Sequence, residues 1–523
     1  MKKMKYIYAG MIAASLMTAP SLTSCSDYLD VNDNPNYPTS AALAQLLPSV
    51  CTYTMSQLAY NGVLIGNMWM QYTTQGNTTN QYNTTTNYNV TVSSFNNFWT
   101  YGYSNTLEDV KILLAQAEEQ GAWNYWLIGT VLKAYNYQIL ADFYEDLPYT
   151  EALDAVNFPN PNYDSGKTVV YPAILEMLDA AIAKQADAKA YSCPKITNQD
   201  YYFNGNVDKW VAFAKSLKLK VLMRDFEGNK SAIQSLLASG GLLEEDCKMD
   251  CFEDATDKGN PFYEYNIRQL NTKENMRACH TFVEFLLANN DPRIQNLYEL
   301  TTNAAAKVGV GEVLTDAEKY EGLPCGTKPE TSTIALAESS RYKQAYDDPV
   351  YLMNESEAKL LIAEAYARLG NMDKATEYYN KGVVAGFNRW TTTAGQGDAF
   401  VAEGGAYEMD ATSMETALKC ILTQKWASYA GANSWDGVFD RNRTGIPAID
   451  PVNTVRISDK AGERELTPGY VLGTLVVPGS SELAAGQFPR RLPYPNASIQ
   501  YNPNAPTPKA LDEPMWWQVA KGK

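Results

Sequence analysis

Apolar residues recur at helical spacing in several separate windows of the chain. Residues 126–144 place Ile128, Leu132, Tyr135 and Ile139 on one face, and residues 170–186 place Ile174, Leu178, Ala181 and Ile182 on another. Residues 210–224 do the same with Phe213, Leu217 and Val221, and residues 415–430 with Leu418, Ile421, Leu422 and Trp426. A 3.6-residue recurrence predicts amphipathic helices. Pro172 falls near a predicted helix start, where a missing N–H costs nothing. The clearest pair is 357–370 followed by 372–383. Its Ala365-Tyr366-Ala367-Arg368-Leu369-Gly370, then Lys374-Ala375 and Tyr379, matches the small-residue, Gly-turn pattern of a tetratricopeptide unit. Asn354, three residues before Glu357, is placed to cap the first helix. The last 84 residues hold 11 of the 25 prolines, which predicts an irregular C-terminal part. The expected fold is mainly α: tetratricopeptide-like helix pairs with long, loop-rich insertions.

Composition narrows the chemistry. The 523 residues carry 43 Lys and Arg against 59 Asp and Glu, a net charge of −16. Nucleic-acid binding needs a basic face, so it is not expected. The single histidine, His280, excludes HExxH hydrolases and His-rich metal centres. Ser165-Gly166-Lys167-Thr168 has the end of a phosphate loop, but Pro161 stands where that loop needs glycine. Asp30-x-Asn32-x-Asn34 continues into Pro35 where a calcium loop needs glycine. Neither motif holds, and no metal or cofactor is expected. Asp142, Glu145 and Asp146 form the tightest acidic group near aromatic residues. They read as a helix end, and no catalytic residue is expected.

The N-terminus reads as an export signal. Lys2, Lys3 and Lys5 precede an uncharged, mostly apolar run over residues 6–19, and then comes Leu22-Thr23-Ser24-Cys25. A short apolar run before a small-residue cleavage site is a leader, not a spanning helix. Cysteine at that place resembles a bacterial lipobox. Residues 1–24 are then a lipoprotein signal peptide and Cys25 the lipidated first residue of a single domain over 25–523. Losing three lysines takes the charge from −16 to −19. The other seven cysteines, an odd and scattered set, do not form a disulfide framework. Most are expected as buried free thiols, with Cys247-x-x-x-Cys251 the one local pair that could bridge.

Residues 34–107 contain no Asp, Glu, Lys or Arg, and residues 67–103 hold nine aromatics. Asn, Gln and Thr fill most other positions. Rings that lie flat on a pyranose, beside amides offering donor and acceptor together, suit a neutral, hydroxyl-rich ligand. The candidate ligand residues are Tyr72, Tyr82 and Tyr88 with Asn77, Asn80 and Asn83. Tyr82 and Tyr88 sit in a polar run without apolar periodicity, so an exposed loop is expected there. Trp99 and Tyr103 lead into an apolar helix and are expected to pack inward. Tyr263, Tyr265 and Arg268, beside Phe262, are the candidate opposing wall.

The chain as a whole resembles the SusD/RagB family of outer-membrane lipoproteins of the Bacteroidota. Asp30-Val31-Asn32-Asp33-Asn34-Pro35-Asn36 resembles an opening motif of the family. Val131-Leu132-Lys133-Ala134-Tyr135 through Asp146-Leu147-Pro148-Tyr149 resembles a second landmark, with Glu145-Asp146 where Gly-Asp is usual. Asn204-Gly205-Asn206-x-x-Lys209-Trp210, Asp291-Pro292-Arg293, Arg441-x-Arg443-Thr444-Gly445 and Phe488-Pro489-Arg490-Arg491-Leu492-Pro493-Tyr494-Pro495 follow in order. Ser26 and Asp27 are similar to the start of an acidic surface-export tag. The resemblance implies a surface-exposed, lipid-anchored glycan-binding protein that acts as the lid of a SusC-type TonB-dependent transporter. Its alternative is the oligopeptide capture of the RagB branch. A surface glycosidase is the third and weakest reading.

Overall fold

The computed structural model describes residues 41–326, 334–390, 393, 395–452, 454–484 and 486–520. The leader, Cys25, the acidic tag and the motif of residues 30–36 lie outside the described residues. Ten helices of ten or more residues are present among those described: α1 (Leu43–Gln57), α2 (Glu108–Glu119), α3 (Trp123–Tyr144), α4 (Tyr171–Ala183), α5 (Val207–Leu222), α6 (Phe226–Ser239), α7 (Glu355–Arg368), α8 (Met372–Asn388), α9 (Met414–Tyr429) and α10 (Ser434–Thr444). Each amphipathic window predicted one of them, to within a turn or so at the ends. Packing runs between helices that follow one another along the chain: α2 on α3, α3 on α4, α4 on α5, α7 on α8. This is the helix-pair scaffold that the periodicity implied.

Capping fixes where the helices begin. The Asn354 side-chain oxygen accepts from the Glu357 N–H at 2.9 Å, and Asn206 does the same for Lys209 at 3.1 Å. Each satisfies one orphan donor of a first turn. Three two-stranded ladders stitch loops together. Thr73–Gln75 pairs antiparallel with Met276–Ala278, Cys247–Met249 with Val350–Met353, and Ile449–Asp450 runs parallel to Leu475–Val476.

Buried charge ties the helices to one another. Lys220 of α5 reaches Glu357 of α7 at 2.6 Å and Asp436 of α10 at 3.1 Å. Arg443 of α10 binds Glu364 of α7 at 2.6 Å and Asp440 at 2.8 Å, and Lys425 of α9 reaches Asp440 at 2.6 Å. Burial alone would raise the Glu364 carboxyl, but Arg443, Arg368 and Lys425 outweigh it and hold the group at about 2. Such pairs are tolerated because each charge faces its opposite in a low-dielectric setting; removing one partner strands the other.

The C-terminal part is irregular, as its prolines predicted, yet firmly docked. Arg491 binds Glu145 at 3.0 Å, the Leu492 N–H donates to the Phe143 carbonyl at 2.8 Å, and the Tyr494 hydroxyl donates to the Tyr144 carbonyl at 3.1 Å. These bonds close the otherwise open C-terminal end of α3. All seven cysteines among the described residues are free, Cys247 and Cys251 included; Cys51, Cys247, Cys279 and Cys325 are buried.

Candidate functional site

The uncharged stretch and the second aromatic group do meet, through residues other than most of those the sequence singled out. α1 runs into a π-helical turn, Leu58–Gly62, that presents Tyr60. The helix Val63–Trp69 after it lies hard against the start of α10. A Cβ on Gly66 would fall 2.3 Å from the Ser434 backbone, so only glycine permits that approach. Opposite, Asn260 caps the turn Pro261–Tyr263 by accepting from the Phe262 N–H at 2.8 Å, while its amide donates to the Asp348 carbonyl at 2.8 Å. The π-helical turn Glu264–Gln269 follows and carries Tyr265.

Between these turns lies an open groove of about 380 Å3. Its lining is Ser56, Tyr60, Asn61, Asn97, Tyr101, Asp257, Gly259, Pro261, Glu264, Tyr265 and Gln269. Tyr101 and Tyr265 are 37% and 40% exposed. Tyr60 braces Tyr265 edge to face at 4.4 Å and also touches Phe262 at 5.9 Å. Burial, with Tyr82 beside it, pushes the Tyr60 phenol far above its usual range, so it remains an O–H donor. The exposed amides of Asn97 and Gln269 complete a surface with two free rings and paired donor–acceptor groups.

Tyr82 and Tyr88 are not on an exposed loop; they are 4% and 2% exposed. Tyr88, with left-handed backbone at φ 60°, is wedged between Trp69 at 6.3 Å and Phe488 at 5.7 Å. Tyr72 is fully buried, donates its hydroxyl to the Trp426 carbonyl at 2.6 Å and packs on Phe282. Tyr82 lies one layer behind the groove. Its hydroxyl donates to Asn266 at 2.9 Å and stands 3.5 Å from that of Tyr60. Asn77 is buried and donates to the Ile334 carbonyl. Asn83 opens the short helix Asn83–Thr86, Asn80 is exposed, and neither lines the groove. The polar run packs without apolar periodicity because amides hold it. The Gln75 side chain accepts from the Tyr82 N–H at 2.6 Å and donates to Asn275 at 3.2 Å, next to the Thr73–Gln75 ladder.

The second group divides. Tyr265 enters the groove, whereas Tyr263 lines an adjoining cavity of about 80 Å3 with Tyr342 and Trp390. Arg268 is held by Asp254 at 2.7 Å and by Glu264 at 2.9 Å, and lies over the Tyr263 ring. It does not line the groove. The sequence reading passed over Tyr60, Asn61, Asn97, Tyr101 and Gln269, although the first four belong to the same uncharged stretch. Trp99 is half-buried: it stacks on Tyr163 at 5.8 Å, and both line a second, shallower groove of about 340 Å3 with Tyr103.

The acidic group at the end of α3 is structural. Asp142 is buried on Arg224 at 2.5 Å, Glu145 binds Arg491 and Lys509, and Asp146 accepts from the Gly166 N–H at 2.9 Å. His280 lies against Arg456 and Glu321, and burial lowers its pKa, so it is neutral. Among the described residues no group of three or more His, Cys, Asp or Glu is placed to hold a metal ion, and no helix is long and apolar enough to cross a membrane.

Residues 35–465 match the SusD-like family described as starch-binding and associating with the outer membrane. Solved structures share the fold. A chitin-binding protein superposes with a TM-score of 0.71 at 21% identity, covering 92% of this chain and 100% of its own. A SusD-like protein of the Bacteroidetes gives 0.70 at 17% identity with the same coverage, and a SusD homolog from Bacteroides fragilis gives 0.66 at 20% identity over 92% and 99%. Comparison with curated protein sequences gives no match.

Proposed function

The chain belongs to the SusD-like family, and we propose that it captures glycans at the outer surface of the outer membrane for uptake. The observation that carries this reading is the groove between Tyr60, Tyr101 and Tyr265. It offers exposed rings and amides, and no basic residue lines it. A pyranose presents a C–H face for such rings and adjacent hydroxyls for such amides. Binding rather than catalysis is proposed, since the acids once weighed as a catalytic set are spent on Arg224, Arg491, Lys509 and a backbone N–H. The leader of residues 1–24 is removed, Cys25 carries the lipid, and residues 25–523 act as one SusD-like domain. That domain closes as the lid of a SusC-type TonB-dependent transporter, holds the glycan between lid and barrel, and passes it inward. With a mature charge of −19, it is expected to meet relatively basic outer loops on the barrel.

Two measurements test this. Calorimetric titration with a panel of neutral oligosaccharides should find a binder, released unchanged, with no new reducing ends. Gentle detergent extraction of outer membranes should recover the protein together with a large β-barrel. A protein that binds only peptides, or is always recovered alone, would sink the glycan or the lid reading respectively.

A further inference from the structure

The charged residues that line the groove are both acids, Asp257 and Glu264. Segment 253–268 carries four carboxylates and two cations, and both cations are already engaged. Lys258 is on Glu253 at 2.9 Å, and Arg268 is shared by Asp254 and Glu264. Asp257 is exposed and makes no ion pair among the described residues. Glu264 is 5% exposed, pairs with Arg268 at 2.9 Å and accepts from the Asp257 N–H at 3.3 Å, so its charge is compensated behind the groove surface. A Cβ on the neighbouring Gly259 would fall 2.4 Å from the Glu264 carboxylate, which is therefore packed closely against the glycine. A ligand stacked on Tyr265 therefore meets the unpaired negative charge of Asp257 in the same groove.

We propose that this groove selects glycans bearing free amines, that is, oligosaccharides of de-N-acetylated amino sugars, over neutral and uronate-bearing ones. The inference rests on the glycan reading of the groove. An ammonium on the sugar supplies three donors and the compensating charge, whereas a uronate would bring a like charge to Asp257. Asp257 is the specificity-determining residue because it faces solvent, and no other charge neutralises it.

The test is titration of the purified protein with tetramers of glucosamine, N-acetylglucosamine and galacturonate at about pH 6, where the amines are protonated. Asp257→Asn and Tyr265→Ala are measured beside the wild type. The glucosamine tetramer should bind roughly fivefold tighter than the acetylated one, the scale of a single exposed ion pair, and galacturonate weakest. The advantage should shrink with added salt. Asp257→Asn should abolish it, whereas Tyr265→Ala should weaken binding of both tetramers. Equal affinities, or an advantage that survives Asp257→Asn, would overturn the proposal while the glycan groove stands, provided Tyr265→Ala weakens binding. Binding that is blind to Tyr265→Ala, or no binding by any tetramer, would remove the groove reading and this proposal with it.

Discussion

The rings of Tyr60 and Tyr265 meet edge to face with centroids 4.4 Å apart at 64°. The contact joins the π-helical turn after α1 to the π-helical turn of residues 264–269. It also leaves one face of Tyr265 toward the groove. An aromatic pair of this geometry adds about 0.5–1.5 kcal/mol beyond area burial, so Tyr60 orients Tyr265 for a ligand.

Tyr265→Ala and Tyr101→Ala should each weaken glycan binding. A ring losing about 40–60 Å2 of contact forfeits roughly 1–1.5 kcal/mol, about five- to tenfold in affinity. Melting temperatures should move little, because both rings are more than a third exposed. Calorimetric titration beside thermal melts reads both effects.

Tyr88→Ala should behave in the opposite way. Its ring fills the space between Trp69 and Phe488 at 2% exposure, so truncation leaves a cavity costing about 3–5 kcal/mol. Chemical denaturation should show the loss, and the fraction that remains folded should bind with wild-type affinity.

Lys220→Met should destabilise the fold by about 3–5 kcal/mol, because Glu357 and Asp436 would be left as unpaired buried acids. Restoring stability by adding Glu357→Gln and Asp436→Asn would show that stranded charge, rather than lost packing, was the cause.

Acid should unfold the protein over a defined window. Glu364 and Glu321 are both held at about 2, against an ordinary 4.5. Burial pushes each up, but the cations around Glu364 win, as do the hydrogen bond from His280 and the charges of Arg456 and Arg464 around Glu321. A depressed carboxyl pKa contributes stability that is complete above about 4.5 and lost as pH falls toward about 2. Unfolding free energies from urea titration should be level above about pH 5 with respect to these groups and fall by a few kcal/mol below it. Glu364→Gln should flatten that fall while lowering the plateau.

Cys25→Ala should abolish incorporation of labelled palmitate, since thioether attachment needs that sulfur. Unchanged labelling of the variant would rule out Cys25 as the lipid site.

The sequence by itself determined the scaffold. Helical periodicity over α3, α4, α5, α7, α8 and α9 is local, and caps such as Asn354 and Asn206 are read within three or four residues, so both survive without knowledge of partners. It also marked the two regions that build the groove, because the lack of charge over residues 34–107 and the clustering of rings at 262–265 are compositional facts. Only the tertiary structure decided which of those rings face solvent. Tyr82 and Tyr88 looked free because no apolar period surrounds them. Amide hydrogen bonds from Gln75, Asn266 and Asn275 and the distant Phe488 bury that run instead. Tyr60, Tyr101 and Tyr265 looked no different, yet three π-helical turns, Leu58–Gly62, Tyr101–Leu107 and Glu264–Gln269, and a Gly66–Ser434 backbone approach bring them to one opening. Exposure depends on what a segment meets from far along the chain, and a local pattern carries no record of that meeting.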